Sequence, residues 1–265
     1  MIKPTRCDSH LHTENSFDSE TPAELQAESA HELGIEYITI TDHCDILDWN
    51  DADIARSNTQ AAELNEKYSD MTVLRGIELG EPLQDIEGTA QALSLCEYDF
   101  VLCSLHNIRD EEDFYYLHPT LDEAHDLLTR YFDELLEMVR WNEFDSLAHL
   151  TYPLRYMVGR DKLNIDMTVH MPVIREILGT LAANGKALEI NTSGRRNPDG
   201  FLMPTLEYVK LFHELGGRYI TLGSDAHVPE HIAVGMSDGI AVAKEAGFDC
   251  AAVFIKRKPV EITFE

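Results

Sequence analysis

Apolar and polar positions along this chain repeat as a unit: an amphipathic stretch, a glycine, a short apolar run, then a polar cluster. In the first copy, Thr21-Pro22-Ala23-Glu24 predicts a capping box with proline at the first helical position. Leu25, Ala30 and Leu33 then recur at helical spacing until Gly34. Tyr37-Ile38-Thr39-Ile40-Thr41 predicts a strand that delivers Asp42 and His43 at its end. A helix around 123–140 gathers Leu127, Leu128, Tyr131, Leu135, Met138 and Val139 on one side, and Phe144 to His149 follow. A helix around 171–183 ends near Asn184-Gly185 and precedes Ala187 to Asn191. Another around 204–215 stops at Gly216-Gly217, and Tyr219 to Gly223 lead into Ser224-Asp225-Ala226-His227. Further strands are predicted at 6–12, 73–79 and 100–104.

Alternation at this spacing implies parallel strands joined by right-handed crossovers. Seven strands are expected, with an eighth near Val253-Phe254-Ile255. A barrel and an open doubly wound sheet both accommodate this number. Glycine-rich phosphate loops are absent, which disfavours the nucleotide-binding open sheet. No Gly/Ser-rich linker interrupts the chain, so a single domain over residues 1–265 is expected.

Composition narrows the function. The net charge of −27 repels nucleic acid and anionic membrane but does not exclude a small anion drawn in by local metal ions and arginines. No apolar run approaches the length of a bilayer span, and Met1 to Asp8 hold no apolar signal core, so a cytoplasmic location is expected. The five cysteines form no CxxC pair and are expected to be small buried thiols, not nucleophiles.

The polar clusters carry the chemistry. The predicted strands end in His10-Leu11-His12, Asp42-His43, Glu78, His106, His149 and Asp225-Ala226-His227. Side chains two apart on a strand share a face, so His10 and His12 can grip one ion, as can Asp225 and His227. Imidazole and carboxylate ligands without thiolates suit zinc, manganese or iron and argue against a structural zinc knuckle. Too many ligands converge for one tetrahedral ion, so a multinuclear site with Glu78 as a bridge is expected. His31, His118, His125, His170, His213 and His231 fall in helices or polar loops and are read as non-functional.

Asp8-Ser9-His10-Leu11-His12, Ser16-Phe17-Asp18-Ser19, Thr41-Asp42-His43, Gly76-Ile77-Glu78 and Gly223-Ser224-Asp225-Ala226-His227 together resemble the motifs of the PHP (polymerase and histidinol phosphatase) superfamily. The resemblance covers residues 8 to about 231 and is closest to the histidinol-phosphate phosphatases. It implies a distorted seven-stranded (β/α) barrel with three divalent ions (zinc, manganese or iron). Carried over motif by motif, His10, His12, Glu78 and Asp225 hold the first ion. Glu78, His106 and His149 hold the second, and Asp18, His43 and His227 the third. The substrate implied is a small phosphorylated molecule, L-histidinol phosphate, an intermediate of histidine biosynthesis. Arg196 matches that subgroup's phosphate-binding arginine; Arg195 stands where an apolar residue is usual, and Arg155 is the expected second clamp. The implied mechanism is attack on phosphorus by a hydroxide bridging the first two ions. In it Asp225 shuttles a proton to the leaving alkoxide, and Asp42 orients a histidine.

Three rival readings stay open: hydrolysis of another small phosphate ester, a metal-binding module without turnover, and a metal-dependent amidohydrolase. The last usually bridges its ions with a modified lysine, and no lysine stands at these strand ends. The sequence leaves the oligomeric state open.

Overall fold

A computed structural model describes residues 5–197 and 200–264; Met1 to Pro4 of the N-terminal reading lie outside them. The first half runs β1 (Cys7–Leu11), α1 (Ala23–Glu32), β2 (Tyr37–Ile40), β3 (His43–Asp45), α2 (Asp51–Lys67), β4 (Thr72–Gly80), α3 (Ile86–Leu95), β5 (Phe100–Ser104) and α4 (Leu121–Trp141). The second half runs β6 (Ser146–Leu147), α5 (Tyr152–Leu154), a π-helical turn (Arg155–Arg160), α6 (Met171–Ala183), β7 (Ala187–Asn191), α7 (Leu206–Glu214), β8 (Tyr219–Gly223), α8 (Met236–Ala246), β9 (Cys250–Ile255) and β10 (Lys258–Thr263).

Seven parallel strands follow the order β1-β2-β4-β5-β6-β7-β8. The ring is drawn together by a parallel bridge between Leu11 and Ala226, with His12 N donating to the Ala226 carbonyl at 2.9 Å and Asp225 N to that of His10 at 2.8 Å. This is the distorted seven-stranded barrel expected. The distortion lies at β2. It stops pairing at Ile40, opposite Arg75, and β3 takes over along the same nine-residue β4, placing His43 opposite Glu78. His43 therefore sits in a strand of its own, not at the end of β2. Gly76 makes this close approach possible, because a Cβ there would lie 2.7 Å from the Ile40 carbonyl oxygen.

Two expectations are corrected. The segment at 253–255 is no eighth barrel strand: it lies in β9, paired antiparallel to β10. The hairpin floors the barrel at the N-terminal ends of its strands. Arg257 N donates to the Asp99 carbonyl at 2.9 Å, and the Arg257 guanidinium pairs with Asp145. Phe254 packs on Phe100 with ring centroids 5.3 Å apart. The capping box at Thr21 is absent too. Ala23 N is capped at 2.6 Å by Glu14 Oε2, Thr21 Oγ1 is used on the His227 carbonyl, and Glu24 pairs with Lys67. A capping box does form on α4, where Thr120 and Glu123 satisfy each other's backbone. No helix among the described residues is long and apolar enough to cross a membrane.

Candidate metal centre and pocket

The C-terminal ends of the parallel strands open into a pocket of about 780 Å³. Seven of the nine expected ligands line it; His10 and His12 lie behind, almost fully buried. Glu78 is the centre. Its Oε2 lies 3.2 Å from His10 Nε2, 3.4 Å from His12 Nε2 and 3.2 Å from His43 Nδ1. Its Oε1 lies 3.3 Å from His106 Nε2 and 3.1 Å from His149 Nε2. The two oxygens of one carboxylate thus face two different histidine groups. Asp225 Oδ1 stands 3.5 Å from His12 Nε2 and 4.0 Å from His10 Nε2. The loop residue Asp18 reaches His227 Nε2 at 2.9 Å and His43 Nε2 at 3.7 Å.

These separations suit divalent cations. Two ligands bound at about 2.1 Å around a tetrahedral ion lie roughly 3–3.5 Å apart. Buried polar atoms without a hydrogen-bond partner include His43 Nδ1, His227 Nε2 and Asp45 Oδ1, all at this centre. Three-residue sets overlap: His10/His12/Glu78, His43/Glu78/His106 and His12/His43/His227 each bring ligand atoms within 4.8 Å of one another.

The imidazoles are oriented from behind. His10 Nδ1 donates to Glu189 Oε1 at 2.6 Å. His12 Nδ1 donates to Ser16 Oγ at 3.0 Å, because that hydroxyl gives its own proton to Asp42 at 2.8 Å. His227 Nδ1 donates to the Asp225 carbonyl at 2.9 Å. Each arrangement turns Nε2 towards the centre, where it can ligate a cation once it holds no proton. Asp42 thus touches no imidazole; it also accepts from Thr13 and Ser57 and reaches His12 through Ser16.

Charge is concentrated here. Burial pushes the Glu78 carboxyl up, but His10, His43 and His106 outweigh it and hold it well below the usual range. The same competition holds Asp225 low, through His10, His227 and Arg196. Burial and the neighbouring His227, His43 and His10 keep His12 well below the ordinary imidazole value, which leaves it neutral as a ligand must be. His149 and Asp225 both carry positive φ, at 21° and 55°, a backbone that non-glycine residues adopt at a cost and that clusters at functional sites.

Two of the three expected phosphate arginines reach the pocket. Arg155 opens the π-helical turn and lies 3.9 Å from Asp225 Oδ2. Arg196 is anchored by Nη2 to the Ser224 and Asp225 carbonyls, with its buried Nε unpaired. Arg195 is a correction. It points outward, with Nε 2.7 Å from Asp238 on α8 and Nη1 on the Gly200 carbonyl, because consecutive residues of the 3₁₀ turn 193–196 face different directions.

Sequence reasoning missed three carboxylates. Glu189 accepts from His10 Nδ1 and from His149 N. Asp45 lies 3.4 Å from His106 Nδ1 and 3.5 Å from His43 Nδ1. Glu81 accepts from His106 N, and burial, aided by Asp45, pushes its carboxyl up to about 8. The available signal for Glu189 was an acid inside an otherwise apolar strand. Gly223 shows how tightly it is housed: a Cβ there would collide with the Glu189 carboxylate and lie 2.5 Å from His10 Cβ.

The PHP domain family matches residues 8–193. A Thermotoga maritima protein named probable histidinol-phosphatase is 32% identical over 253 residues, covering 93% of this chain and 94% of that protein. A histidinol-phosphatase of Lactococcus lactis is 30% identical over 261 residues, covering 94% of each. The crystal structure of histidinol phosphate phosphatase from Lactococcus lactis, complexed with zinc, L-histidinol and phosphate, superposes with a TM-score of 0.83 at 27% identity. That match covers 97% of this chain and 99% of the other.

Proposed function

This chain belongs to the PHP domain family, and from that premise we propose that it is a metal-dependent phosphoric monoester hydrolase that converts L-histidinol phosphate to L-histidinol and phosphate, a step of histidine biosynthesis. The observation that carries the reading is Glu78, whose two oxygens face two separate histidine groups at 3.1–3.4 Å.

In this reading three divalent ions of zinc, manganese or iron are held by the sets implied above. His10, His12, Glu78 and Asp225 form one, Glu78, His106 and His149 the next, and Asp18, His43 and His227 the third. Such ions supply Lewis-acid charge on the phosphoryl oxygens and a water nucleophile active near neutral pH. The chain's own residues do the rest. Arg155 and Arg196 approach the pocket beside Asp225 and present guanidinium donors to the phosphoryl group, stabilising charge as it develops. Asp225, beside Arg155 in the pocket, is the carboxylate that would relay a proton to the leaving alkoxide. Glu78 holds the two histidine groups in one register. Residues 1–265 act as a single domain, and the substrate is a small molecule, with no role for nucleic acid or membrane.

The test is phosphate release from L-histidinol phosphate by metal-stripped and zinc-, manganese- or iron-reconstituted protein. Metal-dependent turnover that prefers this ester over nucleotides and an aryl phosphate is expected. Turnover unaffected by stripping, or none with any metal, would sink the proposal.

A further inference from the structure

The pocket has two chemically distinct ends. One holds the candidate metal groups with Arg196, and Arg155 stands at the border, 3.9 Å from Asp225 and 5.8 Å from the centre of the Tyr156 ring. The other is walled by the segment after β5, where Asp113, Tyr115 and Tyr116 face Tyr152 and Tyr156 from the turn after β6. Tyr152 spans the two: its ring lies 5.1 Å from that of His106 and 5.0 Å from that of His149, and its hydroxyl donates to Asp113 Oδ1 at 3.0 Å. Asp113 therefore stands about one phenol ring away from the phosphoryl end.

The partners of Asp113 are neutral donors. Besides Tyr152 it accepts from Tyr115 N at 2.6 Å, and Tyr156 donates its hydroxyl to that of Tyr152 at 3.2 Å. Among the described residues no basic side chain lies within ion-pair distance of it, although the Arg155 guanidinium is near enough to feel its charge. The two donors are neutral, so they fix the carboxylate's position and leave its charge available to a ligand cation in closer contact than Arg155. The wall is fastened from outside. Arg160 donates to the Tyr115 and Leu117 carbonyls and pairs with Asp161, and Arg130 pairs with Glu111 at 2.6 Å. Tyr115 packs edge-on against both Tyr116 and Tyr156, at 5.0 and 5.7 Å, yet Tyr115 and Tyr116 remain 56% and 65% exposed. Large exposed rings beside a positioned carboxylate that makes no ion pair form a surface for a cationic, flat ligand group.

We propose that Asp113 and the tyrosine wall behind it select the amine-bearing tail of the substrate, Asp113 pairing with the ammonium and the rings packing on the imidazole. This rests on the histidinol-phosphate reading above. The ammonium sits on the second carbon from the ester oxygen, so an ester held at the metal end carries it toward the wall. The selection is exerted in binding, away from the reacting bonds.

The test compares wild type with Asp113→Asn, which keeps the shape and the Tyr152 contact, on three esters: L-histidinol phosphate, its des-amino analogue and p-nitrophenyl phosphate. For the parent ester kcat/KM is expected to fall roughly 10- to 100-fold, mainly through KM. The aryl phosphate and the des-amino analogue are expected to be turned over by both proteins alike. Asp113→Glu, which keeps the charge, is expected to retain the preference for the parent. Equal losses on all three esters, or no loss on any, overturn the assignment. A loss on the des-amino analogue matching that on the parent overturns the ammonium pairing. A selectivity loss in Asp113→Glu equal to that in Asp113→Asn does the same. Should wild type fail to hydrolyse L-histidinol phosphate at all, the functional reading itself falls and takes this inference with it. An unchanged Asp113→Asn profile with an active wild type sinks this inference alone.

Discussion

Glu189 shows what a single carboxylate does at this site. One oxygen accepts from His10 Nδ1 and the other from His149 N, so it sets an imidazole tautomer and fixes the backbone of a second candidate ligand. In Glu189→Gln the amide would present a donor to one of these two donors. If it faces His10, Nδ1 must accept, the ring proton moves to Nε2, and the lone pair aimed at Glu78 is lost. Metal affinity is expected to weaken roughly 10- to 100-fold with the fold intact. Competition against a chelator, with circular dichroism as the check on folding, measures this; unchanged affinity would remove Glu189 from the orienting role. Most of the candidate ligands were legible because their polar clusters follow apolar strands, and six histidines recurring there is hard to explain otherwise; Asp18, in a loop, came only from the motif resemblance. Glu189, Asp45 and Glu81 escaped the pattern, because a residue that acts through another leaves no spacing signature. Arg195 misled for a related reason: in a tight turn, adjacency in sequence says nothing about which arginine faces inward.

At the scale of elements, strands were read better than helices. The β4 run and the His10-Leu11-His12 segment carry dense apolar patterns buried on both faces, so they stand out. Helix α2 does not, since its buried face is only Ile54, Ser57, Ala61 and Leu64 in 17 residues. Strand β9 was legible as a strand but not by its partner: burial under the barrel floor gives it the same apolar run as a barrel strand. Packing between α4 and the start of α6 supplies a prediction the motifs do not touch. His170 is buried against Phe132 and His125, with His125 Nδ1 and His170 Nε2 3.3 Å apart. Burial, then the neighbouring His125, lowers its pKa from the ordinary 6.5. Above that value both folded and unfolded chains carry it neutral and its contribution is intact. As pH falls below about 6.5, the unfolded chain takes up a proton that the folded one resists, and stability is lost. Denaturant midpoints of the wild type are therefore expected to drop more steeply between about pH 6.5 and 5 than those of His170→Gln. Parallel curves would show that His170 contributes nothing to acid sensitivity.

For the molecule as a whole, the barrel's closure and its cation demand are one problem. Residues from His10 to His227 must meet for the centre to exist, and the Leu11–Ala226 bridge that draws the ring shut lies between His12 and Asp225. Without cations this region buries Glu78, Asp225, Glu189 and Glu81 together, in a chain whose net charge is already −27. Ions that bind only the folded arrangement must stabilise it by mass action, by about 2.7 kcal/mol for each site held at a hundred-fold excess over its dissociation constant. At roughly 2–4 °C per kcal/mol for a chain near this size, even one filled site raises the melting temperature by several degrees. Zinc-loaded protein is therefore expected to melt well above chelator-treated protein, reversibly, and monovalent salt at the same ionic strength is not expected to reproduce the shift. Glu78→Gln, which weakens both histidine groups at once, is expected to abolish most of the difference, whereas a change at one edge, such as Asp18→Asn, is expected to remove only part of it. Calorimetry of the three proteins with and without metal decides this. Equal melting temperatures for loaded and stripped wild type would mean that these buried carboxylates are satisfied by imidazolium protons alone, and the multinuclear site would have to be abandoned.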